Sequence, residues 1–166
     1  GGEVALIGTG AQSVGPCHFH DFDIEKPSGT ATLAGNISVD VDVDVDSGTL
    51  NLGAHVIEHA AAGALLYLGP GATLRVATVF PTNFAIVTID PDSTVEYSGE
   101  DPQRIAPVTY GHLELNHGGA NAKTLGGATV VAGNFTIGIA ATVAAGGSLL
   151  KLAGNWTNEG GFLPGT

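Results

Sequence analysis

The sequence predicts an all-β chain wound as a parallel β-solenoid, or β-helix, and three observations support that fold class. First, a turn followed by an apolar, x, apolar alternation recurs, at Ser47-Gly48-Thr49-Leu50-Asn51-Leu52, Gly71-Ala72-Thr73-Leu74-Arg75-Val76, Asp92-Ser93-Thr94-Val95-Glu96-Tyr97 and Gly146-Gly147-Ser148-Leu149-Leu150-Lys151-Leu152. With the echoes Thr32-Leu33 and Thr124-Leu125, the hydroxyl residues stand at 32, 49, 73, 94, 124 and 148, a mean step of about 23 residues. Second, each copy reads as a short strand with one buried face, and one strand at the same point of each repeat describes about seven stacked coils. Third, the composition is 43% apolar but only 6% aromatic, with 26 glycines. A narrow, layered interior filled by Val, Ile, Leu and Ala, with glycine at the corners, requires that balance, whereas a helical bundle or a disordered tail does not.

Taken in order, Val4 to Ile7 opens as a strand, and Cys17 to Ile24 forms a second. Phe22 and Ile24 share a face there, but Phe19 is one residue out of phase, which predicts a bulge at His20-Asp21. Lys26-Pro27-Ser28-Gly29 has the composition of a corner. Asn36 to Asp46 then alternates Ile37, Val39, Val41, Val43 and Val45 with Ser38, Asp40, Asp42, Asp44 and Asp46. On one continuous strand, Asp40, Asp42, Asp44 and Asp46 would line a single face about 7 Å apart. His55 to Leu68 is expected to run strand, turn, strand, because the step from Thr49 to Thr73 leaves no room for a helix. Phe84 to Ile89 is an unbroken apolar run, expected as a strand buried on both faces, and Asp90-Pro91-Asp92-Ser93 turns the chain.

The 166 residues are expected to form one solenoid containing two longer units, about 4–92 and 95–166. Val4 to Gly8, Gln12, Val14, Pro16, Phe19, Phe22 and Ile24 match Val95 to Gly99, Gln103, Ile105, Pro107, Tyr110, Leu113 and Leu115 at a shift of 91. After a slip of one, Thr32-Leu33-Ala34-Gly35 matches Thr124-Leu125-Gly126-Gly127.

In the second unit, Ser93 to Gly99, Tyr110-Gly111-His112-Leu113-Glu114-Leu115, Lys123 to Gly127, Gly133-Asn134-Phe135-Thr136-Ile137 and Gly154 to Gly160 carry a resemblance. Together they resemble the repeat units of very large secreted or surface-attached bacterial proteins that form parallel β-helices. The resemblance implies an architecture used in stalks, adhesins and fibre-like surface layers, located outside the cell or on the bacterial cell surface. It implies no activity.

Net charge is −11, with ten acids and two bases in residues 1–90. Nucleic acid is therefore not an expected partner, because phosphate binding needs clustered Lys and Arg. No run of 18 apolar residues occurs, so no membrane insertion by a helix is expected. The chain contains no methionine, and is read as a processed product or a piece of a longer one. One cysteine, Cys17, permits no internal disulfide.

Each candidate site has a plainer reading beside it. Asp40, Asp42, Asp44 and Asp46 are candidate Ca²⁺ ligands, but one strand offers oxygens from one side only, so a solvated acidic face competes. His55-Val56-Ile57-Glu58-His59 spells an inverted zinc-protease motif, which needs a helix that the coil spacing denies. Cys17, His18 and His20 are soft-metal candidates, although alternation puts Cys17 opposite the two imidazoles. Asn36, Asn134 and Asn155 satisfy the glycosylation sequon, and a stacked asparagine at a solenoid corner explains them equally. Lys26, Lys123, Lys151, Arg75 and Arg104 are too scattered for a polysaccharide lyase, and Thr49, Thr73 and Thr94 stand at corners rather than in the T-x-T ladders of an ice-binding face. No catalytic residue and no required cofactor is expected, so the chain is read as a non-enzyme.

The function expected from the sequence is structural, a segment or subunit of an extracellular fibre or stalk. No amphipathic cap is visible at either end, so like coils are the expected end-to-end partners. The alternative is an adhesin-type binding module recognising a glycan or cell surface, with Ca²⁺ assisting.

Overall fold

The structure, a computed structural model, describes residues 2–59, 63–117 and 122–165. The described residues contain 21 strands and no helix, and every strand pairing among them is parallel. Parallel neighbours need a long crossover, and here the rest of each coil supplies it. The chain is thus a parallel β-solenoid of about seven turns.

Each turn has three faces, not the one strand per repeat that the sequence pattern suggests. The second face is the most regular. Its inward column runs Gln12, Ala31, Leu50, Leu74, Val95, Leu113, Phe135 and Trp156, each in register with the next. Seven steps join Gln12 to Trp156, so a turn averages about 21 residues rather than 23. Thr49, Thr73 and Thr94 do lie in one register column. Thr32 pairs instead with Asn51, and Thr124 belongs to the third face, which is why the hydroxyl spacing overestimates the period.

The first face begins with Val4, Phe22, Val43, Leu66 and Val87, and continues beside Ile86–Ile89 through Tyr110, Val131 and Leu152. The third begins with Phe19, Val39 and His59, reaches Thr82 through its bridge to Glu58, and resumes with Arg104–Ile105, Lys123–Leu125, Thr142–Ala144 and Gly161–Leu163. Strands of three or four residues suffice because the interior holds only one or two side chains per face and layer. Phe22, Ile24, Val43, Val45, Leu50, Leu66, Leu74, Val95, Leu113 and Phe135 are all wholly buried. At about 25 cal/mol per Å² of apolar surface, this stacking is the main stabilising term.

Corners depart from the sequence reading in three places. Asn36–Asp46 is two strands, Ile37–Val39 on the third face and Val43–Asn51 beginning on the first. The chain turns at Asp40 to Asp42, where Asp40 N donates to Phe19 O (3.0 Å), Val41 N donates to His20 O (2.9 Å), and Val41 turns outward. The alternation persists through this corner, which conceals it. His20 is likewise a corner between Cys17–Phe19 and Asp21–Leu33, not a bulge. Finally, Ile86–Ile89 has Ile86 57% exposed, and only its other side, Val87 and Ile89, is half-buried.

Ile57–His59 and Leu65–Leu68 are separate strands, as expected, while the intervening residues 60–62 lie outside the described residues. Gly99 shows why a corner can admit only glycine. A Cβ there would stand 2.1 Å from Ala77 O on the preceding turn.

The segments that match at a shift of 91 do not stack on one face. Val4 lies on the first face and Val95 on the second, Val14 on the second and Ile105 on the third, Phe19 on the third and Tyr110 on the first. One unit therefore spans four turns plus one face.

Candidate functional site

Three features could carry function: an acidic outer surface on the first turns, two interior polar corners, and the two bare ends of the solenoid.

On the acidic surface, Asp23 is in register with Asp44, and Asp44 with Tyr67. Carboxylate oxygens of Glu3, Asp23 and Glu25 lie within 4.8 Å of one another, the one group of three metal-binding side chains that close among the described residues. Partial burial, aided by a hydrogen bond with Glu3 and by the charges of Asp44, Glu3 and Asp46, pushes the Asp23 carboxyl up to about 7. Burial, then Asp46, Asp42, Asp21 and Glu3, also raises Asp44, whose buried Oδ1 has no hydrogen-bond partner. Three oxygens from one side match part of a Ca²⁺ shell, which takes six to eight.

The four aspartates predicted as ligands do not all lie along one face. Asp40 faces His18, with Oδ2 3.0 Å from Nε2. Asp42 Oδ1 accepts from Leu65 N at 2.8 Å, and Asp46 is exposed. Asp44 lies in register with Asp23, and the charge of Asp46 reaches Asp23 as well. The corner at Asp40 to Asp42 sets Asp40 apart from Asp44 and Asp46, and register between neighbouring turns brings Glu3, Asp23 and Glu25 together. The signal available in the sequence was the acidic excess of the first 90 residues.

The other candidates also disperse. His59 points inward and its Nε2–H donates to Asp40 O at 2.7 Å, while Glu58 of the same strand is exposed, so His55, Glu58 and His59 share no helical face. Cys17 Sγ lies 3.6 Å from His18 O, and His20 Nδ1 lies 2.9 Å from Asp21 Oδ2. That contact is the leading reason the Asp21 carboxyl sits below its ordinary value. His18 Nδ1 is 2.7 Å from Ser38 Oγ. With Asp40 this gives the order hydroxyl, imidazole, carboxylate, but the side chains of His18 and Asp40 are 56% and 43% exposed, and nothing excludes water from them. Asn134 Oδ1 accepts from Asn155 N at 3.0 Å and Asn36 Oδ1 from Val56 N at 3.2 Å, so these asparagines tie one turn to the next.

The interior corners went unread in the sequence. Lys123 is fully buried and donates from Nζ to Gly99 O (2.8 Å) and Gln103 Oε1 (2.5 Å). Lys26, also fully buried, donates from Nζ to Gly8 O (2.5 Å) and Gln12 Oε1. Desolvation lowers the Lys123 amine to about 8.

At the ends, the inward columns lose their cover. Val4 is 40% exposed at one end and Trp156 42% at the other, and Ile7 and Leu163, which lie off the inward columns, add apolar surface beside them. Trp156 packs edge-on to Phe135 (5.0 Å) and Phe162 (4.9 Å), leaving its outer side bare.

No family model, no curated protein and no solved structure matches this chain.

Proposed function

We propose that this protein is a non-enzymatic segment or subunit of an extracellular fibre or stalk at a bacterial surface, continuing end to end into like coils. The observation that carries the reading is the pair of bare ends. Both end turns present all three faces in the same order, with apolar inward residues exposed and strand edges unpaired. Such edges are paired or covered in stable proteins, and a like turn stacked on either end would do both. Because the two ends differ, self-association is head to tail and does not close. The parallel register of the interior is the geometry that such stacking extends.

Electron microscopy and sedimentation of the purified chain over a hundredfold concentration range test this reading. Rods several times longer than one chain, about 34 Å for seven steps of about 4.8 Å, are expected. Compact monomers at every concentration, from a gene that encodes no adjoining coils, would overturn it.

The clustered oxygens of Glu3, Asp23 and Glu25 favour a second reading, an adhesin-type module that grips a glycan with Ca²⁺ assisting. A glycan array with and without Ca²⁺ separates the two, since a passive fibre binds no glycan tightly.

A further inference from the structure

We propose that the Gly-x-x-x-Gln corners of this solenoid are amine-binding sites, and that Lys26 and Lys123 are their tethered ligands. The chain contains only two glutamines, Gln12 and Gln103, and each sits four residues after a glycine. Of its three lysines, the two that are buried end on these two corners.

The decisive point is that the lysines are not equivalent in sequence. Gly8 and Gln12 match Gly99 and Gln103 at a shift of 91, which would carry Lys26 to His117, while the one-residue slip that aligns Thr32-Leu33 with Thr124-Leu125 carries Lys123 back to Ala31. Lys26 follows Gly8 by 18 residues, whereas Lys123 follows Gly99 by 24. One approaches from the strand before the next corner and the other from the strand after it. Both ammonium groups nevertheless settle on the same pair of acceptors, a glycine carbonyl and a glutamine Oε1. A side chain carried along by backbone duplication would keep its sequence position. A group selected by its acceptors need not, and these do not.

At the Gly99–Gln103 corner the acceptors are prepared independently of the lysine. Gln103 Nε2 donates to Val76 O (3.0 Å) and Thr78 O (3.1 Å) on the preceding turn. Gly99 N donates to Gln103 Oε1 at 3.0 Å. These bonds fix the amide plane and leave one lone pair of Oε1, together with Gly99 O, aimed at the interior position that Nζ occupies. Gln103 then has every donor and acceptor used, and its amide joins three successive turns. The matching ligand is a primary amine or ammonium, which brings several N–H donors on a slender stem. A quaternary ammonium brings none.

Substitution Lys123→Ala removes three methylenes and the amine, and n-propylammonium restores the same atoms. Thermal melts of this variant at pH 7 are compared in n-propylammonium chloride and in tetramethylammonium chloride at equal concentration. We expect Lys123→Ala to lower Tm by about 5–10 °C, the effect of leaving two buried acceptors unsatisfied in a chain of this size, and n-propylammonium to recover part of that loss. A variant as stable as the parent, or equal melts in the two salts, overturns the proposal. Should Lys123→Ala fail to fold, Gln103→Glu in the otherwise unchanged chain decides. A carboxylate at the acceptor position must raise the titration midpoint of the Lys123 amine, followed by ε-nitrogen NMR, by at least about one unit. An unchanged midpoint overturns the proposal.

Discussion

On the first face, the outward positions of the early turns include Asp23, Asp44 and Tyr67, flanked by Glu3, Asp21, Glu25 and Asp46, whereas the outward positions of the late turns are Thr109, Val130 and Lys151. The inward positions of the same face are Phe22, Val43 and Leu66 early, and Tyr110 and Val131 late, all wholly buried. The two halves thus share an interior and differ in their surface. Inward positions answer to volume and burial, which stacking makes the same at every turn. Outward positions answer only to solvent and to neighbours one turn away, so charge can collect in one half without disturbing the fold.

The largest effects should show the halves alike. Phe22→Ala in the early half and Phe135→Ala in the late half should each cost about 3–5 kcal/mol in chemical denaturation, because both rings are wholly buried. Trp156→Ala, in the bare last turn, should cost only about 1 kcal/mol, since much of its surface already meets water. A difference of more than about 2 kcal/mol between the two phenylalanine variants would break the claim of a common interior.

Intermediate effects should show the halves apart. The Asp23 carboxyl is held up at about 7, so between about pH 4 and 7 the folded chain keeps a proton that the unfolded chain releases. Stability contributed by that proton is fully present below about pH 4 and is lost as pH rises through about 7. Asp23→Asn should therefore stabilise the protein by about 1 kcal/mol at pH 8, after allowance for solvent screening, with the gain shrinking toward pH 4. Thr136→Asn, outward in the late half, should show no such pH dependence in the same melts. The smallest effect belongs to Arg75, whose Nε lies 2.7 Å from Glu96 Oε2 on the outer surface. Arg75→Ala should cost no more than about 0.5 kcal/mol, and less in 1 M salt.

The sequence shows the inward column of the second face well, because Leu50, Leu74 and Val95 each follow a turn and a threonine. It shows the corners poorly. Asp40 to Asp42 turns without glycine or proline, and Val39 and Val43 remain inward on different faces, so period two survives a change of direction. The run Phe84 to Ile89 looks doubly buried because Ile86 sits on an outer surface that tolerates an apolar residue.

Lys26 and Lys123 were illegible for a different reason, since a charged residue reads as surface until its acceptors are known. The glutamines matched at a shift of 91, but nothing local ties a glutamine to a lysine 14 or 20 residues later. The acidic group was half legible. The excess of acids was plain, yet which oxygens meet depends on register between turns, and register is set by corner lengths.

The offset between the two sequence units has a geometric consequence for any chain built by repeating them. A unit that spans four turns and one face rotates its successor by a third of a revolution about the long axis. Whatever one unit displays, the next displays on the adjacent side, and the original side returns only after three units, about 60 Å along at about 4.8 Å per turn. A rod assembled this way would distribute its markings helically and offer no preferred flank, so contacts made along it would meet every direction equally.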